Sequence, residues 1–355
     1  MDEASALAPK LAAPQHRPRP LPLFLELLRS ETAGDPERTR RALEGLRRYQ
    51  EWPRGPAPEP MPALIEQGGA ALRDYGGGTS GPPVVFVPSL INPPGVLDLS
   101  PERSLLRWLA AQGHRVLLLD WGWPGKDRAA LSVTGHIERI LLPLVRSLGA
   151  PPVLVGYCLG GTMALAAARP AGARAVAVIA APWRFSGFSA ESCASLASLW
   201  TAAKPAAESL GVLPMEALQS AFWSLDPART VAKFEAFASA AEGKVDEFVR
   251  LEDWANDGPP LALAAARELF ESFFAADLPG RGGWQVAGET AEPGGTSLLN
   301  IVSTIDRIVP HESAAACGQR LDLALGHVGM VVGSRAREAL WEPLSLWLSR
   351  IAAKC

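Results

Sequence analysis

Residues Pro152–Ala168 read PVLVGYCLGGTMALAAA, and the order of residue types in this stretch decides the fold. Pro152–Tyr157 carries a continuous apolar run, the pattern of a strand buried on both faces. Gly156-Tyr157-Cys158-Leu159-Gly160-Gly161 comes next, and small and apolar residues continue from Gly161 to Ala168 as a helix. Glycines two positions either side of a cysteine suit a strand-to-helix turn too tight for side chains on its flanks. Such an elbow presents Cys158 at the top of the sheet. The N-terminal N–H groups of the following helix point toward it and favour negative charge there. The Leu159 N–H is then one oxyanion donor, and a second is expected from the loop Pro88–Asn92. Taken alone, G-x-Cys-x-G could be a small buried cysteine in a glycine-rich turn; the strand before it and the helix after it favour the nucleophile.

Outward from the elbow, Val84–Val87 (VVFV, stopped by Pro88), Arg115–Asp120 (RVLLLD) and Ala173–Ala180 (ARAVAVIA) read as further buried strands. Ser104–Gln112 and Thr134–Leu148 are helical stretches between them, and this alternation implies a parallel sheet with right-handed crossovers. It stops near Pro182. Residues 183–284 hold mostly helical, aromatic-bearing segments, among them Ala217–Leu225, Thr230–Ala240 and Leu261–Phe274, and strand signals resume at Ser297–Val302 (SLLNIV) and Leu321–Leu325. Two short helices, Leu21–Ser30 and Pro36–Tyr49, precede everything, between a Pro/Ala-rich start expected to be poorly ordered and a proline-rich linker at Pro53–Pro62. The expected architecture is an α/β-hydrolase fold, with a mostly parallel, doubly wound sheet. Its core would be 63–182 and 285–355, its helical cap 183–284, and its N-terminal segment 1–62.

An elbow of this kind predicts an acid and then a histidine later in the chain, each just past a strand end. Asp306 follows SLLNIV by four residues, in Ser303-Thr304-Ile305-Asp306-Arg307, and His327 follows the last short strand, in Gly326-His327-Val328-Gly329-Met330. The other four of the five histidines fit less well. His16 lies in the Pro/Ala-rich start, His114 precedes a strand at the bottom of the sheet, His136 sits on a helix, and His311 follows Asp306 too closely. His327 would accept the Cys158 proton, Asp306 would fix the imidazole tautomer, and the thiolate would attack an acyl group. A thiolate exchanges with a thioester at little free-energy difference, so cysteine in place of serine points to acyl transfer rather than simple ester hydrolysis.

Composition narrows the alternatives. The chain has 355 residues, 48 % hydrophobic and 20 % charged, with 34 basic against 37 acidic residues, the balance of a soluble globular protein. No Lys/Arg block points to nucleic acid. Cys158, Cys193, Cys317 and Cys355 are widely and irregularly spaced, with no metal-ligand spacing, so no metal is expected and the last three read as incidental. The N-terminus lacks the apolar core of about 7–15 residues that a signal peptide needs. No run of roughly 18 apolar residues suggests a membrane span. The cytoplasm is the expected location, where a thiol stays reduced.

From about Val84 onward the chain resembles the polyhydroxyalkanoate synthases, most closely the short class that works with a second subunit. Five stretches in order carry the resemblance: VPSLINPPGVLDLSPERSLLRWLAAQGHRVLLLDWGWPGKD (Val87–Asp127), GYCLGGT (Gly156–Thr162), RLEDWANDGPP (Arg250–Pro260), STIDRIVP (Ser303–Pro310) and GHVGMVVGSRARE (Gly326–Glu338). The resemblance implies that Cys158 carries a growing polyester, with Asp306 and His327 as partners and a 3-hydroxyacyl-CoA as substrate. It implies no cofactor beyond that coenzyme A thioester. His327 would also deprotonate the 3-hydroxyl of the incoming acyl group, and Ile91 would give the second oxyanion N–H. By the resemblance Trp254 and Asp257 would belong to a gating segment of the cap; Trp121, by its own place at the end of the RVLLLD strand on the active-site side, would line the substrate tunnel, against ordinary packing as the plainer reading. The implied partners are the polyester granule surface, a second copy of the chain and a second synthase subunit. The chain departs from the family at Arg307, where members carry histidine, and at Pro88-Ser89-Leu90-Ile91, where they are richer in proline and tryptophan. Only 21 positions separate Asp306 from His327, so the last helix–strand unit must be trimmed. The alternatives are a cysteine-triad hydrolase on the same fold, either an acyl-CoA thioesterase or a polyhydroxyalkanoate depolymerase, and a non-catalytic granule-associated or partner subunit.

Overall fold

The computed structural model describes residues 18–55, 59–79 and 81–353. His16, Cys355, nearly all of the Pro/Ala-rich start and part of the proline-rich linker lie outside the described residues. The chain divides into two compact units, one formed by the N-terminal segment with Leu218–Asp257 and the other by Glu59–Ala217 with Gly258–Cys355.

The larger unit is built on an eight-stranded sheet. Its strands are β1 (Ala63–Gln67), β2 (Ala70–Gly76), β3 (Val84–Val87), β4 (Val116–Asp120), β5 (Val153–Tyr157), β6 (Ala175–Ile179), β7 (Ser297–Ser303) and β8 (Gln319–Leu323). They lie in the order β1-β2-β4-β3-β5-β6-β7-β8. β1 and β2 are antiparallel to their neighbours, and every pairing from β4 to β8 is parallel. The central strands β3, β5 and β6 are buried at every residue, which explains their unbroken apolar runs. β1 is exposed along most of its length, as an edge strand is. It turns into β2 through Gly68 and Gly69, both at positive φ (56° and 75°). Between β7 and β8 the connection holds only a single 3-10 turn, His311–Ser313, in place of a crossover helix. The trimmed unit expected from the sequence therefore lies between β7 and β8.

The stretch expected as a helical cap, 183–284, is shared between the two units. Only Leu218–Asp257 clusters apart from the sheet; the helix Ala190–Leu210 and residues 258–284 belong to the larger unit. They are joined there by the two-residue ribbon Val212–Leu213 with Leu261–Ala262 and by the stacked rings of Trp200 and Phe270, 5.2 Å apart. Nor do the N-terminal helices stand alone. Leu21–Glu31 and Pro36–Glu51 share one apolar core with the helices Pro227–Phe237 and Glu242–Asn256, made by Phe24, Leu28, Ala42, Leu46, Tyr49, Trp223, Val231, Phe234, Phe237, Val245 and Val249. Each helix presents one apolar stripe, and such stripes are stable only against one another.

Gly45 sets the approach of two of these helices. A Cβ there would stand 1.9 Å from the Phe234 carbonyl oxygen, so backbone meets backbone with no room for a methyl group. Gly45→Ala should lower the unfolding free energy by about 1–3 kcal/mol through forced separation of the helices. Urea unfolding followed by far-UV circular dichroism reads the change, and an unaltered midpoint would contradict this account of the packing.

Candidate active site

Cys158 stands between β5 and the helix Leu159–Ala167, at φ 55° and ψ −130°. This is a backbone region that costs a residue with a Cβ roughly 1–3 kcal/mol, and the surroundings impose it. A Cβ on Gly156 would lie 2.3 Å from the Gly161 Cα, one on Gly160 would lie 2.1 Å from the Val87 carbonyl oxygen, and one on Gly161 would lie 2.3 Å from the Ala181 Cβ. The first helical turn is thus seated against the ends of β3 and β6, which only glycines permit. The Cys158 N–H donates to the Ile179 carbonyl at 3.0 Å, and the Gly161 N–H to the Cys158 carbonyl at 2.8 Å. The thiol is half-buried.

Asp306 follows β7, with its side chain fully buried. Its Oδ1 accepts the Ile308 and Val309 N–H groups at 2.8 and 3.1 Å, and its Oδ2 accepts from His327 Nδ1 at 2.6 Å. Nδ1 is committed to the carboxylate, which leaves Nε2 as the ring nitrogen available to Cys158, and the thiol lies near enough to the ring to help raise its pKa. Burial alone would push the His327 pKa down. The Asp306 carboxylate and Cys158 outweigh it, and hold the ring at about 10 instead of 6.5. The three residues found from chain order therefore meet in one place.

Several neighbours were not legible beforehand. Tyr157, the variable position of the elbow, lies beneath the histidine with ring centroids 5.0 Å apart, and its hydroxyl donates to the His327 carbonyl at 3.3 Å. Ser303 donates through Oγ to the Leu325 carbonyl at 2.5 Å and accepts the Ile305 N–H at 3.3 Å, which ties the acid loop to the histidine loop. A serine at a strand end gives no sequence signal of that strap. His136 is buried on its helix, with Nδ1 2.7 Å from the Ser132 carbonyl, and burial pushes its pKa down to about 4. His114 pairs with Ser345 at 2.8 Å, and His311, itself exposed, opens the 3-10 turn. Cys193 is half-buried and Cys317 exposed.

Leu159 is the first residue of its helix, so its amide has no acceptor within the helix. The Ile91 N–H donates to Ser89 Oγ at 3.1 Å. Trp121 is 4 % exposed, and its indole N–H donates to the Pro88 carbonyl at 2.9 Å, so it packs behind the loop after β3 and fixes that loop. Trp254 and Asp257 belong to the smaller unit, near the end of the helix Glu242–Asn256, half-buried and exposed respectively. Among the described residues, no three His, Cys, Asp or Glu side chains cluster as metal ligands, and no helix is long and apolar enough to cross a membrane.

A parallel sheet of this order, with a nucleophile elbow after β5, an acid after β7 and a histidine after β8, defines an α/β-hydrolase fold. Residues 84–342 match the alpha/beta hydrolase family, and the chain belongs to it. A poly(3-hydroxyalkanoate) polymerase subunit PhaC from Haloferax mediterranei is 28 % identical over 295 residues, which cover 75 % of this chain and 58 % of that protein. The subunit of the same name from Allochromatium vinosum is 28 % identical over 290 residues, covering 75 % of this chain and 80 % of its own. The chain thus spans less than two thirds of the Haloferax protein. A carboxylesterase structure from Nitrososphaera gargenis covers 83 % of this chain and 100 % of its own at TM-score 0.50 and 13 % identity, a likeness of fold alone.

The raised histidine pKa has a testable sign. A ring held at about 10 instead of 6.5 contributes stability that is complete below pH 6.5 and is lost as the pH rises toward 10. Asp306→Asn should remove that dependence, so the urea midpoint of the unaltered chain should fall between pH 6.5 and 10 relative to the variant. Parallel midpoint profiles would contradict the pairing.

Proposed function

We propose that this chain is an acyltransferase of the polyhydroxyalkanoate synthase type, which polymerises 3-hydroxyacyl-CoA through a covalent acyl-cysteine on Cys158 and releases CoA. The observation that carries the proposal is the cysteine at the elbow, beside a histidine that a buried aspartate holds. The similarity to the PhaC subunits of two organisms supports it.

In the first half-reaction the proton shared by Cys158 and His327 rests on Nε2, where the raised ring pKa holds it, and sulfur attacks the thioester carbonyl carbon. The carbonyl electron pair moves onto oxygen and returns as the C–S bond to CoA breaks. The proton from His327 accompanies the departing CoA sulfur. Asp306 stabilises the imidazolium between these steps, as its effect on the ring pKa implies. In the second half-reaction the same ring takes the proton of a 3-hydroxyl group, whose oxygen attacks the acyl-cysteine; the C–S bond to Cys158 breaks, the proton stays with the regenerated Cys158–His327 pair, and the polyester is longer by one unit. This chemistry calls on no resident metal or cofactor, since coenzyme A arrives as part of the substrate. The polyester granule surface is the proposed place of work, within the cytoplasm. A second copy of the chain and a second synthase subunit are its proposed protein partners.

One feature favours hydrolysis as the competing outcome, namely the 3-10 turn that replaces a crossover helix between β7 and β8. Incubation with 3-hydroxybutyryl-CoA separates the two. CoA release should be abolished by Cys158→Ala, should leave an acyl adduct on Cys158 visible by mass spectrometry, and should yield insoluble polyester. CoA release with only free 3-hydroxybutyrate would make the chain a thioesterase and overturn the transferase reading.

A further inference from the structure

The second oxyanion donor is the open question at this site, and the loop after β3 answers it in an unexpected way. The position expected to give a backbone N–H is Ile91, but that N–H is already spent on Ser89 Oγ at 3.1 Å. A hydroxyl that accepts one hydrogen bond still carries a proton to give, and accepting sharpens its donation. Ser89 is 7 % exposed, a buried hydroxyl for which an oxyanion is a natural acceptor.

The loop is also held where such a donor would be needed. β3 pairs with β5 in register, with Val87 opposite Gly156, so the residues after Val87 run beside the elbow. Pro88 closes on the first turn of the nucleophile helix, where a Cβ on Gly160 would stand 2.5 Å from the Pro88 carbonyl carbon. From the other side the buried Trp121 indole holds the Pro88 carbonyl at 2.9 Å, and Arg128 Nη1 donates to the Trp121 carbonyl in turn. Ser89 therefore follows a residue clamped on two sides. A proline at position 88 has no N–H of its own to offer.

We infer that the Ser89 hydroxyl, polarised by the Ile91 N–H, is the second oxyanion donor, paired with the Leu159 N–H. This rests on the proposed acyl-cysteine chemistry and deepens it. When the Cys158 sulfur attacks, the carbonyl electron pair moves onto oxygen. That oxygen accepts from Ser89 Oγ–H and Leu159 N–H until it re-forms the double bond and expels the leaving group. No proton changes owner at Ser89. Trp121 and Arg128 act as positioning residues, through the loop and not on the substrate.

Acylation by p-nitrophenyl acetate tests this, since it needs the oxyanion donors whether the acyl-enzyme later polymerises or hydrolyses. The unaltered chain should give a burst of p-nitrophenolate that Cys158→Ala lacks. Ser89→Ala should slow the burst by roughly 10²–10³. Alkylation of Cys158 by iodoacetamide, which forms no oxyanion, should stay within about twofold in that variant, which also reports that the elbow is intact. Ser89→Thr, which keeps a hydroxyl, should recover most of the burst. A Ser89→Ala burst as fast as that of the unaltered chain would overturn the inference, because a freed Ile91 N–H would then be the donor. An equal fall in burst and alkylation would overturn it as well, since the serine would then be supporting the elbow. Absence of any Cys158-dependent burst in the unaltered chain would remove the nucleophile reading itself, and this inference with it.

Discussion

The absence of room between the nucleophile helix and its sheet is the constraint on which the rest of the site depends. Gly156, Gly160 and Gly161 each occupy places where a Cβ would come within 2.1–2.3 Å of another atom. The helix is therefore seated on the ends of β3 and β6, and the chain between β5 and the helix has only one way to turn. Cys158 absorbs that turn at φ 55°. The strain is held by the hydrogen bond from its own N–H to β6 and by a helix whose every residue is buried. A strained cysteine on a rigid turn keeps its side chain pointed one way, which suits the nucleophile role proposed for Cys158.

The other half of the site is set by satisfaction of a buried charge. A carboxylate with no exposure is tolerable only when its lone pairs are taken, and Asp306 has two amides on one oxygen and His327 on the other. This fixes the imidazole tautomer, turns Nε2 toward the thiol and lifts the ring pKa, all as consequences of one packing requirement. The two halves meet because β5, β6 and β7 are parallel and adjacent, so their C-terminal ends open onto the same edge. Ser303 and Tyr157 then hold the histidine loop at two points, one through the Leu325 carbonyl and the other through that of His327.

Most of this framework was legible in the sequence because its signals are local. A fully buried parallel strand is a continuous apolar run, and a nucleophile elbow is a run followed by spaced glycines; both are read within ten residues. Asp306 and His327 were legible for a different reason, since parallel strands bring their ends together in a fixed chain order. What escaped the sequence depends on partners. The hairpin β1–β2 lies at an exposed edge where no alternation is enforced, although the Gly68-Gly69 pair was its available mark. The union of the N-terminal helices with Leu218–Asp257 was invisible because an amphipathic stripe declares that a helix has a partner but not which one. Hydroxyl straps such as Ser303 and Ser89 carry no pattern at all.

The division of the helical insertion also has a consequence for the loop that carries Ser89. The chain passes between its two units at the proline-rich linker, between Ala217 and Leu218, and between Asp257 and Gly258. The last of these passages enters the larger unit at Gly258, where a Cβ would stand 3.3 Å from the Ile91 carbonyl oxygen and 3.4 Å from the Met215 side chain. Ile91 is the residue whose N–H holds the Ser89 hydroxyl. The residue that first receives the returning chain therefore packs on the carbonyl of Ile91, the residue whose own N–H polarises the inferred oxyanion donor. A side chain at Gly258 would therefore press on the Ile91 carbonyl, and through that residue on the turn that holds the Ser89 hydroxyl.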